Sequence, residues 1–231
     1  MYQLSISVSS VVRVLVAIAL FLVLASTAGQ LSGYLFQHGN VFGLVPLFFL
    51  DREDNIPTFF STLLLLFSSV LLALIALLKR KEGYASHWAM LSFGFFFMSF
   101  DEAFEVHERL IIPVWDLLKD FNYNFLYFAW VVPGVALVVV LALVFRRFLG
   151  QLAVTTRVRF LIAGFVYLGG AIGVEMIGGR HAALYGHKNL TYSMIATVEE
   201  SLEIAGLIIF IWALLEYFRE YYSEVRFQIK S

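Results

Sequence analysis

The stretch Ser99-Phe100-Asp101-Glu102-Ala103-Phe104-Glu105-Val106-His107-Glu108 decides how the chain is interpreted. It places four carboxylates and an imidazole at the end of an apolar run that begins near His87. Ionisable side chains inside a bilayer are costly unless they are paired or serve a function. A second acidic stretch, Glu199-Glu200-Ser201-Leu202-Glu203, interrupts another apolar run. The two stretches therefore mark the candidate functional site.

The composition indicates an integral membrane protein. Of 231 residues, 61% are apolar and only 14% are charged, and the mean hydropathy is +0.84. A soluble domain is about 45–50% apolar and about 25% charged. The net charge of −1 and the lack of a basic patch with interleaved aromatics exclude a nucleic-acid-binding protein. The absence of cysteine excludes disulfides, thiolate metal sites and cysteine nucleophiles.

Six apolar runs are long enough to cross a bilayer, which takes about 20 residues. They lie at 10–29, 57–79, 86–110, 125–147, 158–178 and 192–216. The first run, with Arg13 near its start, also resembles a signal peptide, and we expect it to be an uncleaved span. The predicted fold is all-α: a six-transmembrane-helix bundle that forms a single integral membrane domain over residues 1–231.

The basic residues predict the orientation of this bundle. Most of them fall near the start of the first run, at and after the end of the second, around the loop after the fourth and after the sixth: Arg13, Lys79, Arg80, Lys81, Arg146, Arg147, Arg157, Arg159, Arg219, Arg226 and Lys230. By the positive-inside rule, both termini are predicted to be cytoplasmic. The acidic stretches then lie in the outer half of the bilayer.

Several local features predict how the spans begin and pack. Asp54 or Asn55 is expected to cap the second span, with Pro57 in its first turn, and Asn189 is expected to cap the last span. The Gly169–Gly173 pair predicts close contact with another helix. The long loop 30–56 predicts either a cover for the outer mouth of the site or a surface helix on the bilayer.

The acids converge when the spans are drawn as helices. At about 100° per residue, Asp101, Glu105 and Glu108 share one narrow stripe, while His107 points away from it. The acids of the last span share one sector, and the opposite directions of the two spans bring both sets to the same depth. This predicted layer contains Asp101, Glu105, Glu108, Glu175, Glu199, Glu200 and Glu203.

These carboxylates need compensation, because two of them about 4 Å apart repel by about 4 kcal/mol at an effective dielectric near 20. A metal ion, shared protons, or pairing with arginines and histidines would provide it. The predicted ligands of a divalent metal are Asp101, Glu105, Glu108, Glu175, Glu199, Glu200, Glu203, His107 and His187, with Glu102, Asp51, Glu53, Arg109, Arg180 and His181 around them. Fe, Mn, Ca and Zn are the candidate ions.

Four motifs carry a family resemblance. They are Phe49-Leu50-Asp51 with Asn55-Ile56-Pro57-Thr58, Ser99-Phe100-Asp101-Glu102 with His107-Glu108, Asn189-Leu190-Thr191-Tyr192, and Val198-Glu199-Glu200. The combination resembles an uncharacterised family of bacterial multi-pass membrane proteins, which implies the bacterial inner (plasma) membrane and no known activity. A weaker likeness is to alkaline-ceramidase-type membrane hydrolases. The last span lacks the paired histidines of that type, which argues against a zinc amidase.

Three classes of function are compatible with this pattern. The first is a membrane metalloenzyme, a hydrolase or oxidoreductase acting on a lipid or quinone-like substrate, with Glu105, Glu200 and Glu203 as candidate catalytic residues. The second is a cation or proton carrier, against which the scarcity of polar residues below the acids argues. The third is an accessory or assembly subunit with a protonated acid network. The expected partners are membrane lipids, and a homo-oligomer or a larger membrane complex.

Overall fold

The computed structural model describes residues 7–118 and 127–222, and this part of the chain is helical and contains no β-strand. The helices are α1 (Val8–Phe36), α2 (Leu44–Phe48), α3 (Ile56–Leu78), α4 (Ala85–Phe104), α5 (Ile111–Leu118), α6 (Val131–Gln151), α7 (Val154–Leu168), α8 (Glu175–Tyr185) and α9 (Leu190–Tyr221). A 3₁₀ turn, Glu108–Leu110, precedes α5, and a π-helical turn, Gly169–Val174, joins α7 to α8.

Within the described residues, five helices are long and apolar enough to cross a membrane. They are α1, α3, α6, the continuous helix Val154–Tyr185 and α9. The chain is therefore an all-helical membrane protein. The third predicted run corresponds to α4, which is not among the five because His87, Asp101 and Glu102 lower its hydropathy.

The boundaries of the predicted spans differ from the observed helices. The third run, 86–110, was expected to be one helix, but α4 ends at Phe104 because Glu105 adopts a left-handed backbone conformation with φ 52°. Helices α1, α7–α8 and α9 extend beyond their predicted ends. The fourth run begins at residue 125, outside the described residues. Arg226 and Lys230 of the predicted cytoplasmic side also lie outside them.

Helix α9 lies at the centre and packs against α1, α3 and α7, while α3 pairs with α4. The most buried apolar residues lie in α3 and α9: Leu72, Ile75, Ile211, Ala213 and Leu214. Trp88 of α4 contacts the rings of Phe148, Phe160 and Tyr217, so the start of α4 meets the ends of α6 and α9 and the start of α7. The helices are therefore packed with alternating directions.

This packing separates the charges into a basic and an acidic end. At the basic end, Arg159 bonds to Glu220 and lies 3.9 Å from the buried Glu216, which Arg219 also contacts at 2.6 Å. At 1.5 Å per residue, Asp101 lies about 24 Å from the start of α4, Glu203 about 27 Å from the end of α9, and Glu175 about 31 Å from the start of α7. The acids thus lie one bilayer thickness, about 30 Å, from the basic end.

The predicted helix caps are confirmed for two asparagines. The Asn55 side chain accepts a hydrogen bond from the Thr58 N–H at 3.1 Å, with Pro57 in the first turn of α3. The Asn189 side chain accepts one from the Tyr192 N–H at 2.9 Å at the start of α9. Asp54 does not cap α3; it takes a left-handed conformation with φ 58°.

Glycines allow α7 and α9 to approach closely, but not at the pair predicted. A Cβ added at Gly170 would lie 2.7 Å from the Glu199 carbonyl oxygen, and one at Gly206 would lie 2.7 Å from the Tyr167 nitrogen. A Cβ at Gly169 or Gly173 would meet nothing within 4 Å. The π-helical turn presents Gly170 to α9, so the Gly169–Gly173 prediction is wrong.

We expect Gly170→Ala to destabilise the protein by about 1–3 kcal/mol, because the methyl group meets backbone that cannot move without separating the helices. Gly169→Ala and Gly173→Ala are matched controls in the same turn and should change stability by about 0.5 kcal/mol or less. Thermal unfolding of the three variants in detergent measures the difference. Equal melting temperatures for all three would contradict the assigned packing.

Candidate functional site

The acids of the far end form what we call the acidic layer. Its members lie within electrostatic reach of one another and come from the loop before α3, the end of α4 with the turn after it, the start of α8, and α9: Asp51, Glu53, Asp101, Glu102, Glu105, Glu108, Glu175, Glu199, Glu200 and Glu203. All are half-buried except Glu108, which is exposed. The layer lies at the boundary of the apolar part of the molecule.

Glu53, Glu105 and Glu108, which we call the carboxylate triad, each offer an oxygen within 4.8 Å of the other two. The left-handed Glu105 ends α4 and turns the chain, so that Glu105 and Glu108 meet Glu53 of the preceding loop. The predicted stripe of Asp101, Glu105 and Glu108 on one continuous helix is therefore wrong. Glu53, expected only to surround the site, is a member of the triad.

Asp101 binds His107 instead of joining the triad. Its Oδ2 lies 3.1 Å from His107 Nδ1, and its Oδ1 accepts the His107 backbone N–H at 2.7 Å. The break in α4 brings His107 back to Asp101, whereas a continuous helix would have pointed it away. The Trp130 ring packs edge-on against the imidazole, with ring centroids 4.9 Å apart. The imidazole of His107 is therefore held in one orientation.

Other acids of the layer lie against polar groups of neighbouring helices. Trp130 Nε1 donates to Glu175 Oε1 at 2.9 Å, and Glu199 lies beside Glu175. Glu203 lies beside the Tyr167 hydroxyl, and Glu102 beside the Ser61 hydroxyl. These neighbours connect α4 to α3, α9 to α7 and α8, and α8 to the residue before α6.

The π-helical turn places Glu175 in this network. Glu175 is the first residue after the turn, and its backbone N–H bonds to the Gly170 carbonyl five residues earlier. An i→i+5 turn contains one residue more than an α-helical turn, so it shifts the direction of later side chains by about 100°. π-helical turns often occur at functional sites.

Three carboxyl groups outside the spans, those of Asp51, Glu53 and Glu108, have raised pKa values. Burial, with the charges of Glu105 and Glu108, raises the pKa of Glu53 to about 8. Burial and the charges of Glu175 and Glu108 raise the pKa of Asp51 to about 7. Burial likewise raises the pKa of Glu108, although the His107 charge opposes it. Protons therefore remain on part of the acidic layer when no cation is bound.

His107 is the cation that faces these acids. Burial lowers the pKa of His107, but the hydrogen bond and charge of Asp101, with the charges of Glu108 and Glu53, outweigh burial and raise that pKa to about 9. The imidazole is therefore protonated at neutral pH and forms an ion pair with Asp101.

His187, His181 and Arg109 bond to groups outside the triad. His187 Nε2 is 2.7 Å from the Tyr127 hydroxyl, and His181 Nε2 is 2.9 Å from Asn189 Oδ1. Arg109 is exposed and donates to the Phe104 carbonyl at 3.5 Å, and Arg180 is exposed on α8. Both histidines therefore form hydrogen bonds with neutral side chains.

Sequence analysis missed Trp130, Tyr167 and a polar contact between α1 and α9. Trp130 and Tyr167 lie in apolar runs, where aromatic residues are common and carry no specific signal. The α1–α9 contact had a signal: Ser26, Gln30 and Tyr34 are spaced by four at the end of the first run and just beyond it. This spacing places three polar side chains on one face of a helix.

Fold and site together define a multi-pass helical membrane protein with an acidic layer at one end of its helices. Residues 12–218 match the family described as Domain of unknown function (DUF8692), and the chain belongs to this family. No curated protein and no solved structure matches the chain. The match confirms membership of a family of unknown function, but it does not support the likeness to alkaline-ceramidase-type hydrolases or a bacterial origin.

We expect the metal-free protein to lose stability as pH rises from about 5 to 9. The folded state keeps protons on Glu53 above its usual pKa of 4.5 and up to about 8, and on His107 above 6.5 and up to about 9. In this range the unfolded chain binds fewer protons than the folded one, so the free energy of unfolding decreases with pH.

Melting temperatures at several pH values in the presence of a chelator measure this effect. The Glu53→Gln variant, whose amide does not titrate, should show a shallower decrease than wild type. A melting temperature that rises with pH, or an equal slope in the variant, would contradict the assigned protonation of Glu53.

Proposed function

We propose that the carboxylate triad binds a divalent cation at the outer boundary of the membrane. The observation that carries this proposal is the convergence of Glu53, Glu105 and Glu108 from two separate chain segments to within 4.8 Å. Carboxylate oxygens bind divalent cations at about 2.0–2.6 Å, so ligands on opposite sides of one ion lie about 4–5 Å apart. The triad spacing fits that range.

Electrostatics supports a cation at this position. The positive charge of His107 is paired with Asp101, so it does not fully neutralise the three triad carboxylates. An ion between the three carboxylates would replace the protons that Glu53 and Glu108 otherwise retain, and its affinity would rise with pH. An all-oxygen ligand set suits Mn and Ca, and Fe and Zn are the other candidate ions.

The function that this site supports best is that of a membrane metalloenzyme acting on a lipid or quinone-like substrate. A divalent cation supplies a polarised water or carbonyl oxygen at neutral pH. Asp101 holds His107 through Nδ1, which leaves Nε2 as the ring nitrogen that exchanges a proton beside the triad. Glu200 and Glu203 are candidate acid–base residues on α9. A hydrolase and an oxidoreductase are both compatible with these groups.

A second candidate function rests on the polar neighbours of the remaining acids. Glu175 with Glu199, Glu203 with Tyr167, and Glu102 with Ser61 are held within the helix packing. Such a network suits an accessory or assembly subunit, or a carrier that stores protons. The predicted metal ligands Glu175, Glu199 and Glu200 would then stabilise the packing without binding the ion.

We propose that the protein lies in a bacterial inner (plasma) membrane, with both termini cytoplasmic, and that α4 crosses the membrane in addition to the five long apolar helices. The basic end, with Lys79, Arg159 and Arg219, faces the cytoplasm by the positive-inside rule. Membrane lipids contact the exposed apolar side chains of α1 and α6. A homo-oligomer or a larger membrane complex stays an expectation.

Cysteine labelling tests this orientation, because the chain contains no cysteine. Glu53→Cys should react with an impermeant thiol reagent added outside intact cells, and Glu82→Cys should react only after permeabilisation. Residues 53 and 82 flank α3, so a span between them must separate the two sites. Equal labelling of both variants from the same side would contradict the topology.

Titration of purified protein with Mn²⁺ tests the cation site. We expect one bound ion, and an affinity at least about tenfold lower in Glu105→Gln and Glu53→Gln, because each loses one anionic ligand. Glu82→Gln is the matched control: it removes an exposed carboxylate paired with Lys79 at the basic end and should leave the affinity unchanged. The absence of binding to wild type, or equal binding by all variants, would contradict the cation site and favour the second candidate function.

A further inference from the structure

A polar contact between α1 and α9 lies beside the acidic layer. Tyr34 Oη is 3.1 Å from Ser193 Oγ, and Gln30 Nε2 donates to Thr197 Oγ1 at 2.9 Å. Gln30 is 1% exposed and Thr197 is 6% exposed. Thr197 precedes Glu200 of the acidic layer by one turn of α9, so α1 is joined to the helix that carries these acids.

The same contact extends from Gln30 to the loop before α3. Gln30 Nε2 also donates to Ser26 Oγ at 3.0 Å, and Ser26 Oγ accepts the backbone N–H of Leu50 at 3.0 Å. Ser26 and Leu50 are both buried. A buried N–H without an acceptor is costly. The Ser26 hydroxyl therefore determines where the loop before α3 contacts α1.

The loop from Phe49 to Asn55 is braced by its own hydrogen bonds. The Asn55 side-chain amide donates to the carbonyls of Phe49 and Arg52, and its oxygen caps α3. Apolar contacts hold the preceding helix α2 on α1: a Cβ at Gly29 would touch Val45 at 3.2 Å. The position of Glu53 therefore depends on the point at which Leu50 meets Ser26.

We infer that Ser26 and Gln30 are positioning residues that hold Glu53 against Glu105. This inference rests on the proposed cation site, and it gives α1 the role of positioning one of the ligands of that site. The two side chains touch none of the triad carboxylates; they act through the Leu50 N–H and the braced loop. Gln30 Oε1 is buried and has no hydrogen-bond partner among the described residues, so the amide contributes through its two N–H bonds.

Cross-linking in the cysteine-free chain measures this positioning without any metal. In the Glu53→Cys/Glu105→Cys variant, a short bis-thiol reagent should join the two positions rapidly. Adding Ser26→Ala should slow the reaction about tenfold, because the Leu50 N–H loses its acceptor and the loop leaves its position. Gln30→Met should slow it as well, and it provides a second variant if Ser26→Ala fails to fold.

Two controls separate local positioning from general loosening of the helices. Thr27→Ala removes the neighbouring hydroxyl, which bonds only to Val23 O within α1, and should leave the rate unchanged. A Ser69→Cys/Ser92→Cys pair, whose hydroxyls are 3.3 Å apart between α3 and α4, should cross-link at the same rate with or without Ser26→Ala.

The outcomes distinguish this inference from the proposed cation site. A slower reaction at the 53/105 pair alone supports the positioning role, even if wild type binds no Mn²⁺, in which case only the cation site fails. If wild type binds Mn²⁺, Ser26→Ala should weaken binding about tenfold. An unchanged 53/105 rate, an equal decrease at both pairs, or no cross-linking in the parent variant would overturn the inference.

Discussion

Carboxylates at one end of the helices repel one another, and neighbouring groups in each part of the site offset this repulsion. Two carboxylates about 4 Å apart repel by about 4 kcal/mol at an effective dielectric near 20, which is a large fraction of the stability of a folded protein. Asp101 is compensated by His107, with which it forms an ion pair. Glu175 accepts a hydrogen bond from Trp130, and the hydroxyl groups of Tyr167 and Ser61 lie beside Glu203 and Glu102. The triad of Glu53, Glu105 and Glu108 is left, and the proposed cation would compensate the charge there.

Local backbone geometry makes these pairings available. A left-handed residue ends α4 at Glu105, and without it His107 would point away from Asp101. The π-helical turn directs Glu175 towards Trp130, and the bare backbone of Gly170 lets α7 approach Glu199. Irregular backbone at membrane depth is tolerated where protein covers it. Both of these irregularities adjoin acids of the layer, so the helices deviate from regular geometry where these charges are placed.

The sequence predicted the parts of this architecture that depend on regular repetition. Apolar runs predicted the helices, and asparagines at helix starts predicted the caps at Asn55 and Asn189. It did not predict the break at Glu105, because a non-glycine residue in the left-handed region carries no sequence signal. With the break unseen, Asp101 was assigned to the same stripe as Glu108, and Glu53 was left outside the ligand set. Gly170 was missed for a related reason: the π-helical turn changes which glycine faces α9.

The most direct measurement of the central claim is a structure of the purified protein with Mn²⁺, with the metal located by anomalous scattering. The account predicts a single anomalous peak within coordination distance of Glu53, Glu105 and Glu108, with Asp101 still bound to His107. A peak between Glu175, Glu199 and Glu203 would contradict the assignment of the site. The absence of a peak, with the triad carboxyls hydrogen-bonded to one another, would contradict cation binding itself.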